Sequence, residues 1–249
     1  MRPLLLRSLA FHAAFYLATI LFMLFGLPLF FAPRGWVLWA WKLHTRTIIG
    51  LLRWIAGVRM EVRGLERLPE GGYMVASKHQ SAWDTIAPMA YLPDPAVILK
   101  KELMDIPLYG QFARKLGMIP VRRNRGAAAL REMARIARTR AEDGRQVFIF
   151  PEGTRRAPGA PPDYKPGVVM LYEELDAPCV PLAVNSGLYW PRHAWRLNPG
   201  TIVMEFLEPI QPGLPREEFR RRLIEATERA TARLVSEGDT ALRMRQDAA

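Results

Sequence analysis

The chain has 249 residues, half of them hydrophobic, and 35 Lys and Arg against 24 Asp and Glu leave a net charge of +11. This composition excludes disorder and low-complexity structure, and the length suffices to bury roughly 70 to 75% of the unfolded chain's surface in one large core or two modest ones. The single cysteine, Cys179, allows no internal disulfide, and no Cys and His cluster has metal-ligand spacing; the sequence suggests a reducing compartment and no metal site.

Residues 1–60 hold seven Lys or Arg, no Asp or Glu, and eleven Phe, Trp and Tyr. A basic, acid-free, apolar segment suits an anionic lipid surface, by charge attraction and burial of hydrocarbon. Phosphate-backbone binding has no use for such Leu, Ile and aromatic runs, so a membrane partner is expected and nucleic acid is not. Leu9 to Ala32 is 24 residues without a charged side chain, long enough to cross about 30 Å of hydrocarbon as a helix. Gly26 and Pro28 interrupt it near its end, so a shallow hairpin in one leaflet fits equally well. It is too long for the apolar region of an ordinary signal peptide, and no small-x-small cleavage site follows. Trp36 to Gly57 reads as a second helix on which Lys42, Arg46 and Arg53 fall within about 40° of one another, a stripe expected to face headgroups. His12 and His44, without acidic neighbours, read as packing or interfacial residues. A two-helix membrane-associating element is therefore expected over residues 1–57 and an α/β domain over 58–249.

Beyond Val58 short strands and helices alternate. Strands are predicted at Met60–Arg63, Tyr73–Ser77, Ala96–Lys100, Met118–Val121, Gln146–Phe150, Cys179–Val184 and Ile202–Leu207, each apolar and bounded by Gly, Pro or charges. Helices are predicted at Asp84–Tyr91, Pro107–Leu116, Asn124–Glu142 (with Asn124 as N-cap), Gly167–Leu175 and Pro215–Ser236. Such alternation implies a layered α/β domain, a mixed β-sheet flanked by helices, with functional residues at strand ends. Arg156 to Asp163 is a loop, and Arg131, Arg135 and Arg138 make a solvated helix face, or alternatively a dock for an acidic partner protein.

Lys78-His79-Gln80-Ser81-Ala82-Trp83-Asp84-Thr85 directly follows an apolar strand. Residues five apart on a continuous helix are separated by about 140°, so His79 and Asp84 meet only across a turn. There the carboxylate can accept from one imidazole nitrogen and leave the other as a base. A capping box between Ser81 and Asp84 accounts for those two residues without catalysis, though not for His79, and both readings can hold together. Three more stretches end strands. Phe150-Pro151-Glu152-Gly153-Thr154-Arg155 combines a strand stop, a glycine for close backbone approach and a guanidinium fork for phosphate. Leu116-Gly117-Met118-Ile119-Pro120-Val121-Arg122-Arg123 delivers two guanidinium groups, and Val180-Pro181-Leu182-Ala183-Val184-Asn185-Ser186-Gly187 runs into a turn. Cys179 and His193 read as packing residues, His193 alternatively as a group at the lipid surface.

In order and spacing, HQSAWD, GMIPVRR, FPEGTR and VPLAVNSG resemble the four blocks of the glycerolipid acyltransferase family, closest to its 1-acyl-sn-glycerol-3-phosphate acyltransferase branch, over about residues 60 to 210. The resemblance implies an α/β acyltransferase domain behind a two-helix membrane element, with His79 as general base and Asp84 as its partner. It assigns Arg123, Glu152, Gly153, Thr154 and Arg155 to the acceptor site, with Lys100, Lys101, Lys165 and Gly167 as further favoured positions. Lys78 stands where the family often has Asn, and Arg122 where it commonly has an acidic residue. Arg122 adds positive charge, and of the neighbours Arg122 and Arg123 only one is expected to enter the site. The implied reaction moves a fatty acyl group from acyl-CoA or acyl-acyl carrier protein, as co-substrate and with no bound cofactor, to the sn-2 hydroxyl of lysophosphatidic acid, giving phosphatidic acid. Those donors place the site at the cytoplasmic face of the inner membrane. The alternatives are another lyso-lipid acceptor, such as lyso-ornithine lipid, or a non-catalytic membrane-anchored binder of anionic lipids.

Overall fold

A computed structural model describes residues 2–122 and 126–247; Arg123 and Asn124 lie outside the described residues. The apolar N-terminal segment forms α1 (Arg2–Phe25), of which Leu4–Phe25 has a mean hydropathy of 1.9, apolar and long enough to cross a membrane. It stops where the sequence interrupts it. Gly26 follows, and Pro28 sits in a 3₁₀ turn over Leu27–Phe30 before α2 (Arg34–Leu51). A π-helical turn, Leu52–Ala56, closes α2, and Gly57 ends it with φ +72°.

The remaining elements build one seven-stranded sheet. Its strands are β1 (Val58–Arg63), β2 (Tyr73–Ser77), β3 (Pro95–Lys100), β4 (Ile119–Val121), β5 (Gln146–Ile149), β6 (Cys179–Val184) and β7 (Gly200–Phe206). The helices are α3 (Tyr109–Leu116), α4 (Gly126–Glu142), α5 (Gly167–Leu175), the single turn α6 (Ser186–Tyr189) and α7 (Arg216–Asp247). In space the order is β1-β7-β6-β2-β5-β3-β4. The five strands from β6 to β4 are mutually parallel, and β1 and β7 form a parallel pair that meets β6 antiparallel. The sheet is therefore mixed, as expected. β2, β5 and β6 are buried along their whole length, which is why they read as continuous apolar runs rather than as alternating ones.

Alternate residues of these strands face opposite layers. Val75, Phe148 and Val180 share a core with Phe11, Ile48 and Leu52 of the N-terminal element, whereas Met74, Val147 and Cys179 pack with Met133 of α4, Leu171 of α5 and Phe219 of α7. The segment with the membrane-like composition thus covers one face of the sheet. Polar ties lock it there. Arg34 grips both carboxylate oxygens of Asp94, at 2.7 and 2.5 Å, and Lys115 Nζ donates to Phe30 O at 2.6 Å. Lys42 departs from its expected stripe: it is half-buried and donates to Pro93 O at 2.7 Å, which leaves Arg46 and Arg53 exposed. α1 and α2 still present Leu6, Leu17, Phe25, Trp36 and Trp39 to the outside.

Two expectations are corrected. Asp84–Tyr91 is not one helix but two 3₁₀ turns, Trp83–Thr85 and Ala87–Ala90, broken at Ile86. Pro88 has no N–H and its ring collides with the carbonyl of the residue four before it, Asp84, so an α-helix cannot run through. The closing helix extends past Ser236 to Asp247. On α4, Arg135 pairs with Glu132 and Arg138 with Glu142 and Glu174, which makes that face the solvated, largely neutralised surface of the simpler reading.

Candidate active site

All five mutually parallel strands end at one edge of the sheet, and the edge order follows strand order rather than chain order. β6 delivers Asn185-Ser186-Gly187 there, β2 delivers Lys78 to Asp84, β5 delivers Pro151 to Arg155, β3 delivers Lys100 and β4 delivers Arg122. Blocks separated by up to about a hundred residues in sequence become neighbours, because β2 lies between β6 and β5.

The loop after β2 turns back so that His79 Nδ1 lies 3.1 Å from Asp84 Oδ2. The same carboxylate oxygen accepts the N–H groups of Gln80 at 2.6 Å and Ser81 at 2.8 Å, and Ser186 Oγ donates to Oδ1 at 2.5 Å. Asp84 is 0% exposed, and this set of donors is what makes a buried carboxylate tolerable there. The capping and catalytic readings are compatible: Asp84 takes the Ser81 N–H as one half of a capping box would, Ser81 Oγ accepting instead from Trp83 N–H, and it holds the imidazole as well. Surrounded by donors, the carboxylate acts as an acceptor, so Nδ1 carries a proton, and in the neutral imidazole that leaves the lone pair on Nε2. Phe150 stacks on the ring with centroids 3.9 Å apart and planes at 22°, which restricts its rotation.

The fourth block supports the first. Besides Ser186, Gly187 N–H donates to Gln80 Oε1 at 3.0 Å, and a Cβ on Gly187 would stand 2.8 Å from Pro158 and 3.0 Å from Gln80. Gly153, with φ +65°, makes the turn that brings Thr154 and Arg155 to the cavity wall.

His79, 8% exposed, opens onto a cavity of about 690 Å³. The cavity reaches from Gly153, Thr154, Arg155, Arg192 and His193 at one end to an apolar chamber at the other. Ile86, Val97, Leu99 and Phe112 of the α/β layers wall this chamber together with Phe15, Phe22, Val37 and Trp41 of α1 and α2. The N-terminal element therefore completes the cavity that His79 opens onto, and His44 lies in its wall, with Nε2 at 3.1 Å from Thr19 Oγ1.

Of the residues assigned from the resemblance, His79, Gly153, Thr154, Arg155 and Lys100 line this cavity. Glu152 does not: its carboxylate turns inward onto Lys78 Nζ at 3.0 Å. Lys101 is turned to Asp105 at 3.0 Å, Lys165 to Asp163 at 2.6 Å, and Arg122 is exposed without lining the cavity. Two mouth residues carry no sequence signal. Arg192 donates through Nη1 to Arg155 O at 2.8 Å and through Nε to His193 Nε2 at 2.8 Å, yet both lie in a loop outside the four blocks. Cys179 is 0% exposed and burial pushes its thiol far up, as a packing role requires.

A family model described as Acyltransferase matches residues 59–185. The chain belongs to the acyltransferase family. This acyltransferase is 34% identical over 232 residues to the 1-acyl-sn-glycerol-3-phosphate acyltransferase of Pseudomonas aeruginosa, covering 93% of this chain and 88% of that one. It is 31% identical over 205 residues to the 1-acyl-sn-glycerol-3-phosphate acyltransferase alpha of Mus musculus, covering 80% and 71%. Its fold matches the crystal structure of the 1-acyl-sn-glycerophosphate acyltransferase PlsC from Thermotoga maritima with a TM-score of 0.77, at 24% identity, over 94% of this chain and 99% of that one.

Proposed function

We propose that this acyltransferase moves a fatty acyl group from an acyl thioester to the sn-2 hydroxyl of 1-acylglycerol-3-phosphate and so makes phosphatidic acid. The observation that carries the reading is the hydrogen-bonded His79–Asp84 pair on the wall of a cavity with guanidinium groups at one end and an apolar chamber at the other. Those two ends match the two ends of a lysophosphatidic acid or an acyl donor, a charged head and a hydrocarbon chain.

In this mechanism His79 Nε2 takes the proton of the acceptor hydroxyl as its oxygen attacks the thioester carbonyl. The tetrahedral intermediate collapses, the C–S bond breaks, and the departing sulfur takes the proton back from the imidazolium. Asp84 holds the ring in the correct tautomer and stabilises its protonated form, a contribution that together with the base is worth roughly 10² to 10⁴ in rate. Arg155 and Arg192 anchor the acceptor phosphate at the mouth, so headgroup binding places the hydroxyl at the base. Gly153 and Thr154 shape that mouth. Arg122 and Lys101 add to the positive field around it rather than contacting the headgroup through this cavity, and Arg123 keeps the acceptor-binding role that the resemblance gives it. Residues 1–57 hold the enzyme on a phospholipid membrane, an attachment that the exposed apolar surface of α1 and α2 supports, at the cytoplasmic face where acyl-CoA and acyl carrier protein are supplied.

The test is the full chain in vesicles, given acyl-CoA or acyl-acyl carrier protein with either 1-acylglycerol-3-phosphate or lyso-ornithine lipid, with products read by mass spectrometry. Phosphatidic acid is the expected product. Turnover of the phosphate-free acceptor alone would reassign the substrate, and vesicle binding without any acyl product would replace the enzyme reading by a lipid-binding one.

A further inference from the structure

Lys78 stands one residue before the base, and Glu152 one residue before the first acceptor-loop residue on the cavity wall. Neither side chain lines that cavity. They are 3% and 2% exposed and meet behind it, with Lys78 Nζ 3.0 Å from Glu152 Oε1. The same ammonium lies 2.7 Å from Glu228 Oε1 on α7, and that oxygen also accepts the Tyr164 hydroxyl at 3.0 Å. The Tyr164 ring lies 5.9 Å from the ammonium, and the next residue, Lys165, donates its N–H to Pro151 O at 2.9 Å. One buried cation thus joins the end of β2, the loop after β5, the approach to α5 and the middle of α7. Glu152 Oε2 is buried with no hydrogen-bond partner among the described residues, and Lys78 holds the carboxylate through Oε1. At its other end the acceptor loop is tied to the base by backbone alone, Arg156 N–H donating to His79 O at 2.8 Å.

We propose that Lys78 is a positioning residue for the acceptor site. Through Glu152 it fixes where Gly153, Thr154 and Arg155 stand relative to His79, and Glu152 acts on the acceptor only through this tie. A neutral side chain at position 78 would leave two carboxylates facing one another without a cation, and the loop would move to bring Glu152 toward water. This inference rests on the acceptor-loop reading given under Proposed function.

The test is steady-state kinetics of the full chain in vesicles, varying 1-acylglycerol-3-phosphate and the acyl donor separately. Glu152→Gln keeps the shape and leaves Lys78 paired with Glu228; it should raise the acceptor KM about tenfold while the donor KM stays within about twofold. Lys78→Met should do the same, and the double variant should be no worse than the worse single one, because both cut one link. Glu228→Gln, which keeps Lys78 paired with Glu152 and serves if Lys78→Met does not fold, should raise the acceptor KM by less, about threefold. Effects that multiply in the double variant would mean that Glu152 meets the acceptor on its own account. An unchanged acceptor KM in both Glu152→Gln and Glu228→Gln, with only a lowered melting temperature, would reduce the cluster to a structural ion pair; either result overturns the proposal. Arg155→Ala separates the two levels. An unchanged acceptor KM there removes the acceptor-loop reading and this inference with it, whereas a raised one beside an unaffected Glu152→Gln removes this inference alone.

Discussion

Asp84, beside the base, accepts hydrogen bonds from four groups of the protein and is wholly buried, whereas Arg155, at the mouth of the same cavity, has no ion-pair partner among the described residues and is half-exposed. His79, the proposed base, is held on two sides: Phe150 covers one face of the imidazole, and Asp84, itself fixed by Ser186 from a block more than a hundred residues later, takes Nδ1. At the mouth the neighbouring Arg192 reaches, among the described residues, a backbone carbonyl and His193. A proton transfer needs its groups placed in advance, since misplacement is costly in rate. Capture of a mobile phosphate headgroup needs uncommitted charge, and a guanidinium already paired inside the protein would have none to offer. On the proposed function, the same cavity is therefore rigid where bonds would change and open where the acceptor would be caught.

Substitutions that break this contrast should fall in a graded series. The largest loss is expected for His79→Ala, about 10² to 10⁴ in kcat with an unaltered acceptor KM, measured by product formation in vesicles, together with about 1 to 3 kcal/mol in denaturant-unfolding stability because Asp84 loses one of its donors. Asp84→Asn should follow with about 10² in kcat and a loss of about 1 to 3 kcal/mol in denaturant-unfolding stability, because an amide cannot accept from all the donors around it. At the mouth Arg155→Ala should act on the other parameter, raising the acceptor KM about tenfold with kcat nearly unchanged, and the difference from wild type should shrink as salt rises. A drop in kcat there with an unchanged KM would erase the distinction between the two ends. Ser186→Ala sharpens it from the rigid side: kcat should fall about three- to tenfold and stability by about 1.5 to 3 kcal/mol, since one donor to a buried charge is lost. Arg192→Ala, exposed and loosely held, should give the smallest change, about two- to threefold in acceptor KM, with no measurable change in stability.

Much of this arrangement was legible in the chain because it is local. The turn that brings Asp84 back to His79 is written in six residues, and the apolar runs of β2, β5 and β6 announce strands covered on both faces. Gly26 and Pro28 mark the end of α1 for the same reason, since backbone restrictions act within a few residues. The misread stretch at Asp84–Tyr91 was local as well: Pro88 gave the signal, and the apolar spacing around it suggested a helix that its ring forbids.

What the sequence determined by itself is the inventory: an apolar cationic leader, seven strands, and four polar blocks at strand ends, one of them holding an imidazole and its carboxylate. Tertiary structure alone decided the pairings between distant segments. Strand order set Ser186 against Asp84, turned Glu152 from the cavity toward Lys78, brought Arg192 beside Arg155, and laid α1 and α2 over the sheet so that they wall the cavity. Such pairings depend on which strand lies next to which, and that is settled by the packing of two whole layers of side chains rather than by any stretch of a dozen residues.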